Sequence, residues 1–335
     1  IDNSGEYTWD NGDALEKEVP GLNAESAAVG GTIFVSTSGN DTNDGLSEEN
    51  AVATVAKAIE LAKNGDGKIV ILEGTYKINA TLIIDEDLDI KAKGNVVIDG
   101  NSLGIMENSA NLNLTGITFT NAKLATGSVI KDNGNTTIEN CVFYDCNTTG
   151  SSAAGPINNM KGTMTINKSK FYNMKGARGV IASQAGTKFV MNNSEIYDND
   201  CTSFTNSYGI LRLEGCEAVV ENTIFRNNKA KNGAGLWLNR ASSHTMGSLT
   251  ANGLTFIENV AQTGNGGSIF VSGSFALNVT DSKFVNNLAN ASANNVGGSG
   301  SAIYMGTGDE KILTVTQSVF IDNYGSSPEY GDAGI

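Results

Sequence analysis

The chain has 335 residues, 39% of them hydrophobic and 17% charged, which is enough apolar content to fill a core. Its net charge of −14 excludes duplex nucleic acid, whose phosphates recruit Lys and Arg, and argues equally against anionic membranes. No run of 18 apolar residues occurs, so no direct membrane insertion of this segment is expected.

Residues 1–30 read as an N-terminal extension without the charged and then apolar pattern of a secretion signal, so Ile1 is expected to begin a mature or trimmed chain. Apolar runs at 33–35, 69–72, 81–84, 88–92 and 96–100 predict strands. Between the first two, residues 51–63 place Val52, Val55, Ile59 and Ala62 on one helical face. A lone amphipathic helix ahead of a solenoid is expected to cover its open first coil. The segment GNDTNDG (39–45) offers Asp41 and Asp44 as calcium ligands; the competing reading is an Asx-rich loop that hydrogen-bonds to itself. The acidic run Asp85, Glu86, Asp87 and Asp89 reads as a solvated turn.

From residue 111 a repeat takes over. Segments such as NLNLTGITFTN (111–121), MTINKSKFYNM (164–174) and LNVTDSKFVNN (277–287) share one frame. Its anchors are Phe119, Phe143, Phe171, Ile196, Phe225, Phe256, Phe284 and Phe320, separated by 24, 28, 25, 29, 31, 28 and 36 residues. Apolar residues recur seven and five positions before the anchor, which is strand alternation, and the variable spacing puts insertions in turns. Asparagines follow two or three positions after the anchor (Asn121, Asn173, Asn199, Asn228, Asn259, Asn287 and Asn323). Stacked coils would set such amides about 4.8 Å apart, close enough to bond along the stack. Between anchors comes a glycine and a short strand: GSVI (127–130), GVIAS (179–183), GILRL (209–213), GLWL (235–238), GGSIFV (266–271) and GSAIYM (300–305). The pattern predicts an all-β chain: a right-handed parallel β-helix solenoid over 31–325 with an N-terminal capping α-helix. The tail 326–335 is short and polar with no second cap, so the natural protein is expected to continue.

Four cysteines, Cys141, Cys146, Cys201 and Cys216, have no CxxC spacing, and with one histidine, His244, a zinc site is not expected. A disulfide and a set of small buried thiols both fit. Nine Asn-x-Ser/Thr sequons tilt the reading toward the cell exterior.

The stretch IFVSTSGNDTNDGLSEENAVATVAKAIELAKNGDGKIVILEGTYKI (33–78) resembles the opening of pectate-lyase-like right-handed β-helix proteins. The FRNN, FIEN, FVNN and FIDN motifs, paired with GGSI-like elements, are similar to the repeats of chlamydial polymorphic membrane proteins. Together with the acidic, Asn/Thr-rich style, the chain looks most like adhesin-like surface proteins of methanogenic archaea. The resemblance spans about residues 30–325 and implies a cell-surface or extracellular binding role.

The same fold hosts polysaccharide lyases and glycosidases, so enzyme activity rests on particular residues. Polygalacturonase-like members carry adjacent aspartates, Gly-His-Gly and Arg-x-Lys; the chain contains no Asp-Asp, and His244 sits in SSHTMG, where it reads as a loop residue. The arginines Arg178, Arg212, Arg226 and Arg240 recur on nearby coils without an acidic cluster repeating beside them. No catalytic residue is therefore assigned.

Strand parity gives the candidate surface. If Leu236 and Leu238 point inward, Trp237 points out, and Arg212, Phe270 and Tyr304 follow on neighbouring coils. A second column follows the anchors: Tyr144, Tyr172, Tyr197 and Arg226. Rows of exposed aromatics mark interaction sites, and their faces suit the apolar faces of sugars. Two other readings are favourable stacking with no ligand and a covering loop. The expectation is a non-enzymatic adhesin that binds a cell-surface glycan or protein on another cell, without a cofactor beyond the calcium candidate. A β-helix lyase or glycoside hydrolase and a structural stalk are the alternatives.

Overall fold

The computed structural model describes residues 30–150, 155–205, 207–240, 246–291, 298–307 and 310–326. His244, residues 1–29 of the extension and residues 327–335 of the tail lie outside them. Among the described residues every strand pairing is parallel, and the strands wind into one β-helix.

Each coil repeats a local rule. The anchor strand, such as Val142–Tyr144 or Thr255–Ile257, is bracketed by two left-handed residues. One lies three positions before the anchor: Gly116, Asn140, Lys168, Asn193, Asn222, Gly253, Asp281 and Gln317. The other lies two positions after it: Asn121, Asp145, Asn173, Asp198, Asn227, Glu258, Asn286 and Asp322. Left-handed backbone costs about 1–2 kcal/mol for most residues and least for Gly, Asn and Asp, which explains the composition of these corners. The bends split each coil's long run into two strips that share an 18-stranded sheet. A nine-stranded sheet from Leu82–Ile84 to Ile303–Met305 forms another face. A four-stranded sheet of two-residue strands, from Lys229–Ala230 to Tyr324–Gly325, closes the corner of the later coils.

All anchors except Phe320 are fully buried, and Phe320, on the last coil, is half-buried. Phe119, Phe143 and Phe171 stack with centroids 4.9 and 4.8 Å apart. Ile196 interrupts the pile, and Phe225, Phe256, Phe284 and Phe320 resume it at 4.7–4.9 Å. This is the strand spacing imposed on rings.

The asparagine expectation needs correcting. Only residues three positions after the anchor point inward, and these run Ala122, Cys146, Met174, Asn199, Asn228, Asn259, Asn287 and Asn323. Asn121 and Asn173, two positions after, are exposed left-handed residues and belong to another column. The buried ladder therefore starts at Asn199. Each Nδ2 donates to the next coil's Oδ1, at 2.9, 3.1, 3.0 and 2.8 Å. It also donates to a carbonyl of the previous coil, as Asn228 does to Ile196 O at 2.8 Å. An unanticipated hydroxyl ladder stands two positions before the anchor, where Ser169, Ser194, Thr223, Ser282 and Ser318 accept backbone N–H groups from the preceding coil.

The helix spans Val55–Lys63, shorter than expected. Thr54 caps it, and Val55, Ala58, Ile59 and Ala62 pack into the first coils. Val52 is instead held extended by a bridge to Val35. Its position is consistent with a cap. Asp41 secures its start, accepting from the N–H groups of Ala53 and Thr54 at 2.8 and 2.9 Å and from the Thr54 hydroxyl at 2.9 Å.

Candidate functional site

Parity sets direction but not exposure. Arg212, Trp237, Phe270 and Tyr304 are indeed successive partners on the outer face of the nine-stranded sheet. Contrary to the expectation of an open row, Trp237 is only 6% exposed and Arg212 only 4%. The Arg212 guanidinium lies 4.9 Å over the indole and pairs with Glu214. Tyr208, from the turn before the Arg212 strand, stacks on the same indole at 5.4 Å. Burial pulls the Arg212 pKa down while Glu214 holds it up. Phe270 and Tyr304 stack at 5.3 Å and are half-buried. The column is thus enclosed at one end and partly open at the other.

The second column is open along its length. Tyr144, Tyr172 and Tyr197 are all half-exposed, with ring centroids 5.4 and 5.0 Å apart and planes within 15°. Arg226 continues the row 4.1 Å over Tyr197 and is held by Glu195 at 2.7 Å and Asp198 at 3.9 Å. Burial against neighbours raises the phenol pKa of Tyr172 and of Tyr197, so both stay neutral and can donate. Because the rings lie face to face, solvent meets their edges. Sugar stacking on ring faces, the expected mode, is therefore unavailable within the row.

What flanks this row was not anticipated. The exposed left-handed residues beside it alternate: Asn121, Asp145, Asn173, Asp198, Asn227. Asn121 donates to Asp99 at 2.8 Å, Asn173 to Asp145, and Asn227 to Asp198 at 2.6 Å. Carboxylates on adjacent coils would repel at strand spacing; alternation places a donor between them. The alternation is visible in the sequence once the column is known, two positions after each anchor.

Asp41 and Asp44 are each engaged by local hydrogen bonds. Asp41 is bonded to the helix start, and Asp44 accepts from Leu46 N–H at 3.0 Å, as in an Asx turn. Among the described residues, no three His, Cys, Asp or Glu side chains gather in one place. All four cysteines are free and buried, with pKa values pushed up by burial to about 11 for Cys141 and about 12 for the others. A cleft of about 770 Å³ opens between the helix and the strand Leu82–Ile84, with Val55, Ile59, Ile78 and Leu82 along its floor. No residue singled out from the sequence as a binding or metal candidate lines it.

A family model described as "Right handed beta helix region" matches residues 30–246. The chain belongs to the right-handed β-helix family. No curated protein matches it. Among solved structures, this right-handed β-helix is similar to the pectate lyase Pel9A, with 15% identity, a TM-score of 0.48, and coverage of 90% of this chain and 80% of that one. It is also similar to a rhamnogalacturonan lyase, with 12% identity, a TM-score of 0.40, and coverage of 85% and 87%.

Proposed function

We propose that this right-handed β-helix is a non-enzymatic, adhesin-like protein of the cell exterior that binds a hydroxyl-rich ligand, a glycan on another cell's surface. The observation that carries the reading is the ridge of Tyr144, Tyr172, Tyr197 and Arg226 running beside Asp145, Asn173, Asp198 and Asn227. Phenol hydroxyls donate and accept, carboxylates accept, amides do both, and a guanidinium donates in a planar fork. A polyhydroxylated chain needs this mixture, repeated at a fixed step. Aromatic stacking rigidifies the row before any ligand arrives, which lowers the ordering cost of binding.

The test is a glycan array followed by a cell-binding assay. Replacing Tyr144, Tyr172 and Tyr197 together by Ala should weaken binding at least about tenfold, equivalent to 1.4 kcal/mol. Trp237→Phe, which alters only the enclosed column, should leave binding unaltered. Full binding by the triple variant would refute the ridge as the site. Release of unsaturated or reducing sugars from a polysaccharide would instead establish the lyase or hydrolase alternative.

A further inference from the structure

Inside the solenoid, a polar stack joins successive strands of the nine-stranded sheet. Asn108, Asp132, Asn159 and Ser183 are register partners on four consecutive coils, and all are buried. A regular hand-off operates along this stack. Asn108 Oδ1 accepts from Ala110 N–H at 3.0 Å, and its Nδ2 donates onward to Asp132 Oδ1 at 2.8 Å. Asn159 likewise donates from Nδ2 to Ser183 Oγ at 3.1 Å and to Lys188 O at 3.0 Å. Asp132 Oδ1 takes the amide-oxygen role, accepting from Gly134 N–H at 3.1 Å as well.

The hand-off fails between Asp132 and Asn159. Asp132 Oδ2 occupies the place where the asparagines carry an NH₂, and it has no partner. Asn159 Oδ1, on the next coil, has none either. Two orphaned buried acceptors on register partners need one proton between them. Turning the Asn159 amide over would offer Asp132 a donor, but it would set the amide oxygen against Lys188 O.

We infer that Asp132 is held as the neutral acid, its Oδ2–H donating to Asn159 Oδ1, so that one proton completes the coil-to-coil stack and makes this part of the solenoid pH-sensitive. The groups facing the carboxyl are the Asn108 amide, the Gly134 N–H, the Thr136 hydroxyl and Asn159, none of them charged. The charged residues of these strands, Lys131 and Glu107, sit at the outward positions and pair with each other at 3.4 Å. Burial raises the carboxyl's pKa above its ordinary value, outweighing the Asn108, Gly134 and Thr136 hydrogen bonds that lower it, and none of these partners is a cation. For a folded-state pKa raised above the unfolded one, the stabilisation is complete below the ordinary Asp range near 4. It is lost as pH rises through the raised value.

The test uses the whole chain and the variant Asp132→Asn, which supplies an NH₂ at the Oδ2 position at every pH. Thermal midpoints of both proteins should coincide in acid and diverge as pH rises. Above the raised pKa the variant should lead by at least about 2–4 °C. The carbonyl infrared spectrum of the folded native protein at pH 6 should show a protonated carboxyl band that Asp132→Asn removes. A midpoint gap independent of pH, or no such band, would overturn the inference. Should the variant fail to fold, assignment of the Asp132 γ-carbon shift by NMR in the native protein decides the matter, an ionised carboxyl at pH 6 refuting it.

Discussion

One corner of this β-helix is built in two chemistries. In the earlier coils the inward residue after the anchor is Ala122, Cys146 or Met174; from Asn199 onward it is always asparagine. The earlier corner is held by volume and by backbone pairing, with the Cys146 thiol near Tyr144 O at 3.2 Å. In the later corner the amides of Asn199, Asn228, Asn259 and Asn287 each bond to the coils before and after. The junction is clean, since Met174 N–H already donates to Asn199 Oδ1 at 2.9 Å. The two longest anchor spacings, 31 and 36 residues, fall within the ladder. A corner pinned by directed bonds keeps its register when a neighbouring turn lengthens, whereas one held by packing has only shape to locate it.

The largest effect that would break this comparison lies in mid-ladder. Asn259→Ala removes the acceptor used by Asn228 and the donor to Phe225 O and Asn287. Several buried groups are left unpaired, so a loss of roughly 3 kcal/mol or more is expected in denaturant unfolding. A smaller cost, about 2 kcal/mol, is expected for Cys146→Asn, whose amide would face the thioether of Met174 in the next coil. Met174→Asn should cost no more than about 1 kcal/mol, because its amide meets Asn199 above and the Phe143 carbonyl below, extending the ladder by one coil. If the two asparagine insertions cost the same, position along the corner is irrelevant and the distinction fails. The mildest probe leaves the sequence intact. With thiol pKa values of about 11 to 12 and buried sulfurs, alkylation at pH 8 should be negligible in the folded protein and should rise only as the chain unfolds. Rapid labelling of Cys146 in the native chain would show that the apolar corner opens locally.

Much of the architecture could be read from the chain. The anchor repeat, the strand parity and the amphipathic helix come from periodicities of two and 3.6, which are properties of the local backbone. The outward direction of Arg212, Trp237, Phe270 and Tyr304 follows from the same parity, and so does the column of Tyr144, Tyr172, Tyr197 and Arg226. The helix starts later than its apolar pattern because Val52 continues that pattern while belonging to an extended segment. The asparagines look like one ladder in the sequence because spacing cannot show which of two adjacent corner residues is left-handed and which turns inward.

The sequence by itself thus determined that the chain coils and which strand side chains face in or out, since alternation is decided within each strand. Only the tertiary structure decided what those side chains meet. The cover over Trp237 is supplied by Tyr208 and Arg212, 29 and 25 residues earlier. The unpartnered oxygens of Asp132 and Asn159 belong to residues 27 positions apart that only the register of two coils makes neighbours. Such contacts depend on the path and length of the intervening turns, and those are set by packing between coils rather than by any local pattern.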